Sequence, residues 1–435
     1  MRAMTTILLC LTMFLGNAWG SSVVLPDQAK MIDAAVVIAT VDVESITSYE
    51  KDGRLFTRIS LAVIDGIKGA NAGDVLFLTE RGGKVGSRVE WIPGSPTYRV
   101  GEKATVVLDK KGELALRTSQ MDLGKLPVPR QVEISYSAPL SADTTDAATA
   151  WKNGLLQKIK QLPREPDSPT KRASIVTQAQ SLLPTPFTES HEEFNFMGGK
   201  WRAPGIMKGD TIGDKSLGSE SSIDILKRSV RPWVDSSGLR LDYGGEQSGK
   251  GFVCEPGKLL VSFNDPKDEI DDPIGCGGVL AVGGFCAGDV GIDGFAEIMG
   301  GAIVFNNGWD GCDFWNVNNV LEVGTHETGH AVGIAHSCEQ GEPCNDQAKQ
   351  SATMFWSAHF DGRGSSLTDY DRASIVALYG AGPAATPAPT ASGAPAPTGT
   401  PAPTPGGCQG GGPACMSILF LTIAGVMLAG RKDQA

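Results

Sequence analysis

The sequence lacks an excess of basic residues and is poor in histidine. Lysine and arginine number 38 against 49 aspartate and glutamate residues, which gives a formal net charge of −11 at pH 7. Because nucleic-acid binding requires a concentrated basic surface, this balance excludes nucleic acid as an expected partner. Histidine occurs only 5 times in 435 residues. Any cluster of histidines in this chain is therefore informative.

Long apolar runs are also missing. Apolar runs at residues 7–16 and 416–429 are both shorter than the roughly 20 residues that a membrane-spanning helix needs. The first run follows Arg2 and precedes the small residues of the stretch 18–20, a pattern typical of a secretory signal peptide over residues 1–20. A membrane anchor is the alternative interpretation. We expect the chain to be exported.

The C-terminal part has the composition of a tether. Residues 383–407 are mostly Pro, Thr, Ala and Gly, which favours an extended, flexible stalk. Residues 408–435 contain two cysteines, an apolar run and then Arg431 and Lys432. This order resembles the C-terminal sorting tails of myxobacterial surface proteins, and a short membrane anchor is the other interpretation. Both predict a membrane-associated tail that holds the protein at the cell surface or is processed to release it.

The nine cysteines are unevenly distributed along the chain. One lies in the predicted signal peptide, two lie in the tail and six lie between residues 254 and 344. An even number in an exported domain predicts three disulfides. Spacing favours Cys338 with Cys344, then Cys276 with Cys286, which leaves Cys254 with Cys312. Six cysteines allow fifteen pairings, so spacing alone does not decide among them.

Residues 21–136 are predicted to form an all-β accessory domain. Turn sequences separate short β-rich runs at 34–43, 55–64, 74–80, 103–109 and 113–118. Their even spacing favours a small barrel or a sandwich. The pattern resembles oligonucleotide/oligosaccharide-binding barrels, including those of netrin-like modules. Such a module could inhibit the rest of the chain, bind a surface polysaccharide or act as a spacer.

Two further regions precede the stalk. Residues 137–190 are predicted to be a helical linker or propeptide-like arm, because Trp151, Leu155 and Ile159 recur at helical spacing. Residues 191–382 mix the two patterns, which favours an α/β domain. Its predicted strands cover 238–244, 257–265, 277–284 and 300–307, and its predicted helices cover 223–234, 318–333 and 366–380. Asp369 is the candidate N-cap of the last helix.

Three of the five histidines fall in the stretch THETGHAVGIAHS, residues 325–337. His326 and His330 are four residues apart on a predicted helix, so both imidazoles project from the same face. Gly333 can adopt the left-handed conformation that ends a helix and turns the chain, which returns His336 toward the other two. Three nitrogen ligands leave a fourth position for water, as in a catalytic zinc site.

Glu327 supplies the remaining chemical group. It is placed to address a zinc-bound water, whose pKa zinc lowers from about 15.7 to about 7. The carboxylate can accept the proton of that water and return it to a leaving amine. A chance cluster and a structural zinc site are the alternatives. In a structural site Cys338 would be the fourth ligand, but its expected disulfide with Cys344 argues against that role.

The pattern HExxHxxGxxH resembles the metzincin zinc peptidases. Ser337 after the third histidine and the sequence LYG at 378–380 resemble the matrixin branch, and the resemblance covers roughly residues 195–380. It implies a mixed, twisted sheet of about five strands, with the active-site helix behind it. It also implies that the strand at 300–307 pairs with an extended peptide substrate.

The resemblance further implies a methionine turn beneath the metal, for which Met354 is the candidate. Matrixins commonly block their zinc with a propeptide cysteine, but no cysteine lies between Cys10 and Cys254. Matrixins also often carry structural calcium. The acidic stretches 264–272 and 307–313 are candidates for such a site, with solvated loops as the alternative.

The residues and the resemblance together predict a zinc endopeptidase, secreted or tethered to the cell surface, that cleaves extended segments of extracellular proteins. The alternative is a surface binding or adhesion protein whose metzincin-like domain is catalytically silent. An intact Glu327 argues against that alternative. His359 is expected to be a surface or wall residue, because three ligands are already supplied, and His191 is assigned no role.

Overall fold

The computed structural model describes residues 22–111, 115–128, 147–163, 193–218, 221–338 and 344–382. The predicted signal peptide, His191, the stalk and the C-terminal tail lie outside these ranges. Within them, no helix is both long enough and apolar enough to cross a membrane. The predicted mixture of helices and strands is confirmed as a mixed α/β architecture with two sheets.

Fifteen strands and six α-helices are described. The strands are β1 Ser22–Val24, β2 Val37–Lys51, β3 Arg54–Lys68, β4 Val75–Arg81, β5 Gly83–Val85, β6 Arg88–Trp91, β7 Lys103–Lys111, β8 Ala115–Thr118, β9 Lys125–Pro127, β10 Gly199–Lys200, β11 Gly205–Asp210, β12 Leu241–Gln247, β13 Lys258–Ser262, β14 Gly278–Val290 and β15 Ala296–Phe305. The helices are α1 Gln28–Ala34, α2 Ala147–Lys160, α3 Ser222–Ser236, α4 Val317–Ala331, α5 Gln347–Ser351 and α6 Asp369–Tyr379.

The smaller sheet closes on itself. Its strands pair in the order β2-β3-β4-β8-β7, and β7 pairs again with β2, so the ring is complete and β9 adds to β7. Alternate residues face one core: Val37, Ala39, Val41 and Val43 on β2, with Ala104, Val106 and Leu108 on β7. Period-two alternation is the pattern of a strand with one buried face. Of the two predicted forms, the structure therefore has the barrel.

The larger sheet runs β12-β11-β13-β15-β14-β6-β5. β12, β11, β13 and β15 are parallel to one another, and β14 is antiparallel to β15. β15 is hydrogen-bonded to β13 on one side and to β14 on the other. The expectation that the strand at 300–307 pairs with substrate is therefore wrong, because this strand has no open edge. Beyond β14 the sheet continues, because β1 and β6 pair with different parts of that strand.

The N-terminal part of the chain is joined to this larger sheet. β6 pairs with residues 285–287 of β14, and β1 pairs with residues 278–281 of the same strand. A shared apolar core includes Val23, Met31 and Leu155 from the N-terminal part, and Val279 and Val304 from the larger sheet. The barrel is thus packed against the α/β part through buried apolar surface, which stabilises their relative position.

Buried ion pairs cross the same boundary. Arg117 lies 3.1 Å from Asp271, and Arg81 lies 3.3 Å from Glu269 and 3.0 Å from Glu90. All of these side chains are largely shielded from water. Removing one partner would leave a buried charge uncompensated, so the network specifies one docking geometry.

The disulfides partly differ from the spacing-based expectation. Cys338 pairs with Cys344 as expected. The other pairs are Cys254–Cys286 and Cys276–Cys312, so the expected Cys276–Cys286 and Cys254–Cys312 pairs are wrong. Sequence separation misleads here because the sheet brings distant loops together: Cys286 lies on β14, next to the loop that carries Cys254. Three disulfides are compatible with an extracellular protein.

Candidate metal centre

Helix α4 carries the first two histidines. Asn316 caps its start by accepting hydrogen bonds from the backbone N–H groups of Asn318, at 3.1 Å, and Asn319, at 3.2 Å. From Asn319 onward every residue of the helix is buried. The indole N–H of Trp233 on α3 donates to the carbonyl of Thr325 at 2.9 Å. Packing on all sides therefore holds His326 and His330 in fixed positions.

Gly333 ends this helix and turns the chain toward His336. Its backbone has φ 98°, and its N–H donates to the carbonyl of His330 at 3.0 Å. The N–H of Ile334 donates to the carbonyl of Gly329 at 2.9 Å. This pair of bonds is the Schellman motif, which needs a left-handed residue after the helix. A Cβ atom at Gly333 would lie 2.0 Å from the carbonyl oxygen of Gly199, so only glycine fits.

The three imidazoles converge on one point. The Nε2 atom of His326 lies 2.9 Å from that of His330 and 3.2 Å from that of His336. Three nitrogens bound to one tetrahedral ion at about 2.0–2.1 Å would be roughly 3.3 Å apart. Burial lowers the pKa of all three imidazoles, that of His326 to about 4, so all are neutral at pH 7. The cluster could therefore hold a metal ion.

Hydrogen bonds orient two of these rings. Nδ1 of His326 lies 2.7 Å from the carbonyl oxygen of Thr353, and Nδ1 of His330 lies 2.8 Å from that of Ile334. A carbonyl only accepts, so each Nδ1 carries the proton and each Nε2 carries a lone pair. Two lone pairs directed at each other across 2.9 Å repel, and a cation between them removes the repulsion. Partners of this kind commonly fix metal-binding histidines.

Met354 lies beneath the cluster. It is fully buried, and a Cβ atom at Gly329 would lie 2.3 Å from its sulfur, so α4 packs directly on this side chain. The N–H of Ser337 donates to the carbonyl of Met354 at 2.8 Å. The carboxylate of Asp371 accepts the N–H groups of Thr353 and Met354. The turn that carries Met354 is thus bonded to the elements on both sides of it.

Glu327 projects into the same space. Its carboxylate is fully buried, and burial raises its pKa to about 8. Its Oε2 atom has no hydrogen-bond partner among the described residues. β14 runs alongside, because a Cβ atom at Gly283 would lie 2.2 Å from the backbone oxygen of Glu327. A buried carboxylate with a spare oxygen beside neutral imidazoles can accept a proton from a molecule bound there.

Ser22 contacts the same carboxylate. Its backbone N–H donates to Oε1 of Glu327 at 2.9 Å, and its hydroxyl donates to the same oxygen at 2.8 Å. Ser22 is 1% exposed. The first described residues of the chain therefore lie against the carboxylate of Glu327.

The wall beside the cluster is held by Glu322. Its two carboxylate oxygens accept the N–H groups of His359, at 2.6 Å, and Phe360, at 3.0 Å. Nε2 of His359 lies 2.9 Å from the carbonyl oxygen of Gln350, so its ring is directed away from the metal-binding atoms. His359 is not part of the group of side chains arranged to hold a metal, and its expected role as a surface or wall residue stays a prediction.

The acidic stretch at 264–272 has partners of its own. Asp271 is ion-paired with Arg117, and Oδ2 of Asp265 accepts the N–H of Ile270 at 2.6 Å. Among the described residues, the histidine cluster is the one group of three or more His, Cys, Asp or Glu side chains arranged to hold a metal. Calcium binding therefore stays a prediction without support from these contacts.

Three residues that contribute to the centre are absent from the sequence prediction. Ser22, Glu322 and Asp371 each act through contacts with residues far along the chain. Asp371 carries one local signal: with Thr368 it forms a capping box at the start of α6. Thr368 is the N-cap, so the expectation that Asp369 caps this helix is wrong.

Two comparisons with known proteins were negative. A scan against protein-family models and a search of curated proteins each found no match to this chain.

Proposed function

We propose that this protein is a zinc-dependent endopeptidase that hydrolyses peptide bonds in extended segments of extracellular proteins. The observation that carries the proposal is the arrangement of three neutral imidazoles, with Nε2 lone pairs 2.9–3.2 Å apart, beside the buried carboxylate of Glu327. The resemblance of residues 325–337 to the metzincin motif, and of 195–380 to the matrixin branch, supports the same conclusion.

His326, His330 and His336 would hold the ion. A zinc ion bound to three imidazoles supplies Lewis acidity, which acidifies a water molecule and polarises a carbonyl oxygen. The carbonyls of Thr353 and Ile334 keep two of the rings in the tautomer that binds metal. Met354 packs against Gly329 of α4, the helix that carries two of the rings.

Glu327 would transfer the proton. Its Oε2 atom is the free acceptor for a proton from the attacking water, and the proton then passes to the nitrogen of the departing amine. Burial raises the pKa of this carboxyl group, which makes it a better proton acceptor than an exposed carboxylate.

The substrate would lie along β14. The edge of β14 opposite β15 pairs with β1 at residues 278–281 and with β6 at 285–287, and Gly283 between them lies against the backbone of Glu327. A substrate would take the place of β1. An extended peptide added to such an edge binds through main-chain hydrogen bonds, with side-chain pockets giving selectivity. The segment held by Glu322 forms the opposite wall. Export to the cell surface, together with the stalk and tail, would place this cleft outside the cytoplasm.

The test compares full-length protein with the variant Glu327→Gln. Both are loaded with zinc and mixed with a library of unstructured peptides, with and without residues 22–24, because these residues contact Glu327. We expect equal zinc content and at least about a hundredfold slower cleavage in the variant. Glu297→Gln, which alters an exposed carboxylate on β15, is the matched control.

Zinc binding without cleavage in every form would reject the peptidase and favour the binding or adhesion alternative. Cleavage that persists in Glu327→Gln would show that another group moves the proton.

A further inference from the structure

Strand β1 lies where a peptide substrate is expected. Ser22, Val23 and Val24 pair antiparallel with residues 278–281 of β14. On its other side, Val23 forms a parallel bridge with Ser357, whose hydroxyl lies 3.4 Å from the carbonyl oxygen of Val23. Ser22 and Val23 are both buried. The segment is therefore an extended strand held between the edge of β14 and the wall of the metal centre.

The contacts of Ser22 reach the reacting group. In the mechanism proposed above, Glu327 gives its proton to the nitrogen of the departing amine. The backbone nitrogen of Ser22 donates to Oε1 of Glu327 at 2.9 Å, so it stands where that nitrogen would be. The hydroxyl of Ser22 adds a second bond to the same oxygen at 2.8 Å.

We propose that residues 22–24 are a built-in inhibitor that occupies the substrate position of the metal centre in the same chain. The inference rests on the proposed peptidase function. With β1 in place, the edge of β14 at 278–281 is already paired, and one oxygen of Glu327 is already engaged. A second extended peptide cannot add to that edge until β1 leaves it.

The folded N-terminal part holds the segment in place. The indole N–H of Trp151 on α2 donates to the carbonyl of Pro26 at 2.8 Å, and the side chain of Gln28 donates to the carbonyl of Trp151 at 2.7 Å. Asp27 caps α1 immediately after the segment. Because β1 is tethered to a packed helix pair, its effective concentration at the cleft is far above that of a free peptide.

The tether also explains why hydrolysis of this segment by the centre would not empty the cleft. If the bond before Ser22 were hydrolysed, the new amino terminus would stay in place. The pairing with β14 would still hold Val24, and the hydrogen bond from Trp151 would still hold Pro26. A free product diffuses away, whereas this one stays beside Glu327. Activation therefore requires opening of the contacts around α1 and α2, not hydrolysis at the centre alone.

The bound segment also indicates the substrate class. It fixes the direction of an extended peptide as antiparallel to β14 and parallel to the chain at Ser357. Ser22, which contacts Glu327, is small and polar, and Val23 and Val24 after it are β-branched and apolar. We expect peptides that contain Ser-Val-Val after the cleaved bond to compete for the opened cleft.

The experiment uses the full chain with zinc bound and three changes of different strength. Deletion of residues 22–24 removes the segment. Ser22→Pro removes both hydrogen bonds to Glu327 while leaving Val23 in place. Trp151→Phe removes only the N–H that bonds to Pro26. Ser87→Ala, at an exposed serine in the turn between β5 and β6, is the matched control.

Three measurements are made on each protein: hydrogen exchange at the amides of residues 278–281, the rate of zinc transfer to a coloured chelator, and cleavage of a quenched peptide. In the deletion and in Ser22→Pro we expect exchange, zinc transfer and cleavage to rise at least about tenfold, since releasing a strand worth about 1.4 kcal/mol changes a population tenfold. Trp151→Phe should give a smaller rise, and Ser87→Ala none.

Two outcomes separate this inference from the proposed function. Faster exchange and faster zinc transfer without cleavage would show that β1 covers the metal centre and can be released from it, and would reject the peptidase. Equal cleavage by the unchanged protein and all four variants, with unchanged exchange and zinc transfer, would overturn the inhibitor and leave the peptidase intact.

Discussion

The carboxylate of Asp371 accepts the backbone N–H of Thr353 at 2.8 Å, joining the first turn of α6 to the residue whose carbonyl orients His326. The same carboxylate accepts the N–H of Met354 at 3.1 Å and caps its own helix through Thr368. One buried side chain therefore connects the last described helix, Met354 and one ring of the histidine cluster.

Asp371→Ala should weaken metal binding as well as folding. Two buried N–H groups would lose a charged acceptor, and hydrogen bonds to charged groups contribute about 1.5–3 kcal/mol each. We expect a loss of about 3 kcal/mol or more in the free energy of unfolding, and zinc affinity lower by about 10–100-fold. Urea unfolding and chelator competition measure the two effects.

Asp369→Ala is the control for this change, because Asp369 lies in the same helical turn but is exposed. It should alter stability by less than about 0.5 kcal/mol. Wild-type zinc affinity in Asp371→Ala would show that α6 does not position His326.

Gly333→Ala should be strongly destabilising. The substitution adds both a left-handed strain, worth about 1–2 kcal/mol, and a clash with the carbonyl oxygen of Gly199 at 2.0 Å. Gly362→Ala separates the two costs, because Gly362 also has positive φ but has no atom near its added Cβ. We expect urea unfolding to show a clearly larger loss at Gly333. Equal losses would mean that the backbone conformation, and not the contact with Gly199, requires glycine.

Metal removal should destabilise the folded protein. An ion that binds only the folded state adds about 4 kcal/mol to the free energy of unfolding at a thousandfold excess over its Kd. Chelation should therefore lower the melting temperature, and zinc should restore it. His330→Ala should abolish the zinc response, whereas His359→Ala should keep it, because the ring of His359 faces Gln350. A zinc response that survives in His330→Ala would place the metal elsewhere.

The burial of Glu80 should make the free energy of unfolding depend on pH. Burial raises the pKa of this barrel residue to about 7, with Arg117 opposing the rise and Asp271 adding to it. The folded state therefore binds more protons than the unfolded state between pH about 4.5 and 7, so the free energy of unfolding falls as pH rises through that window. Glu80→Gln should remove up to about 1.4 kcal/mol per pH unit of that slope.

Urea unfolding at several pH values measures this slope. Glu297→Gln, which alters an exposed side chain, should leave it unchanged. Parallel profiles for wild type and Glu80→Gln would show that Glu80 stays ionised throughout.

The sequence alone determined the parts of this protein that depend on local spacing. The positions of His326 and His330 follow from the helical repeat, and the turn at Gly333 follows from the conformational freedom of glycine. The barrel strands follow from short β-rich runs separated by turn sequences, because these residue types favour an extended backbone.

Only the tertiary structure decided which distant residues meet. Two of the three disulfide pairs, the pairing of β15 along both of its edges, and the support of the centre by Glu322 and Asp371 all depend on how sheets and helices pack. Ser22 and Glu327 are separated by 305 residues, yet they share two hydrogen bonds. A spacing rule describes neighbours within one element, whereas such a contact exists because the barrel docks on the α/β part and places β1 along β14.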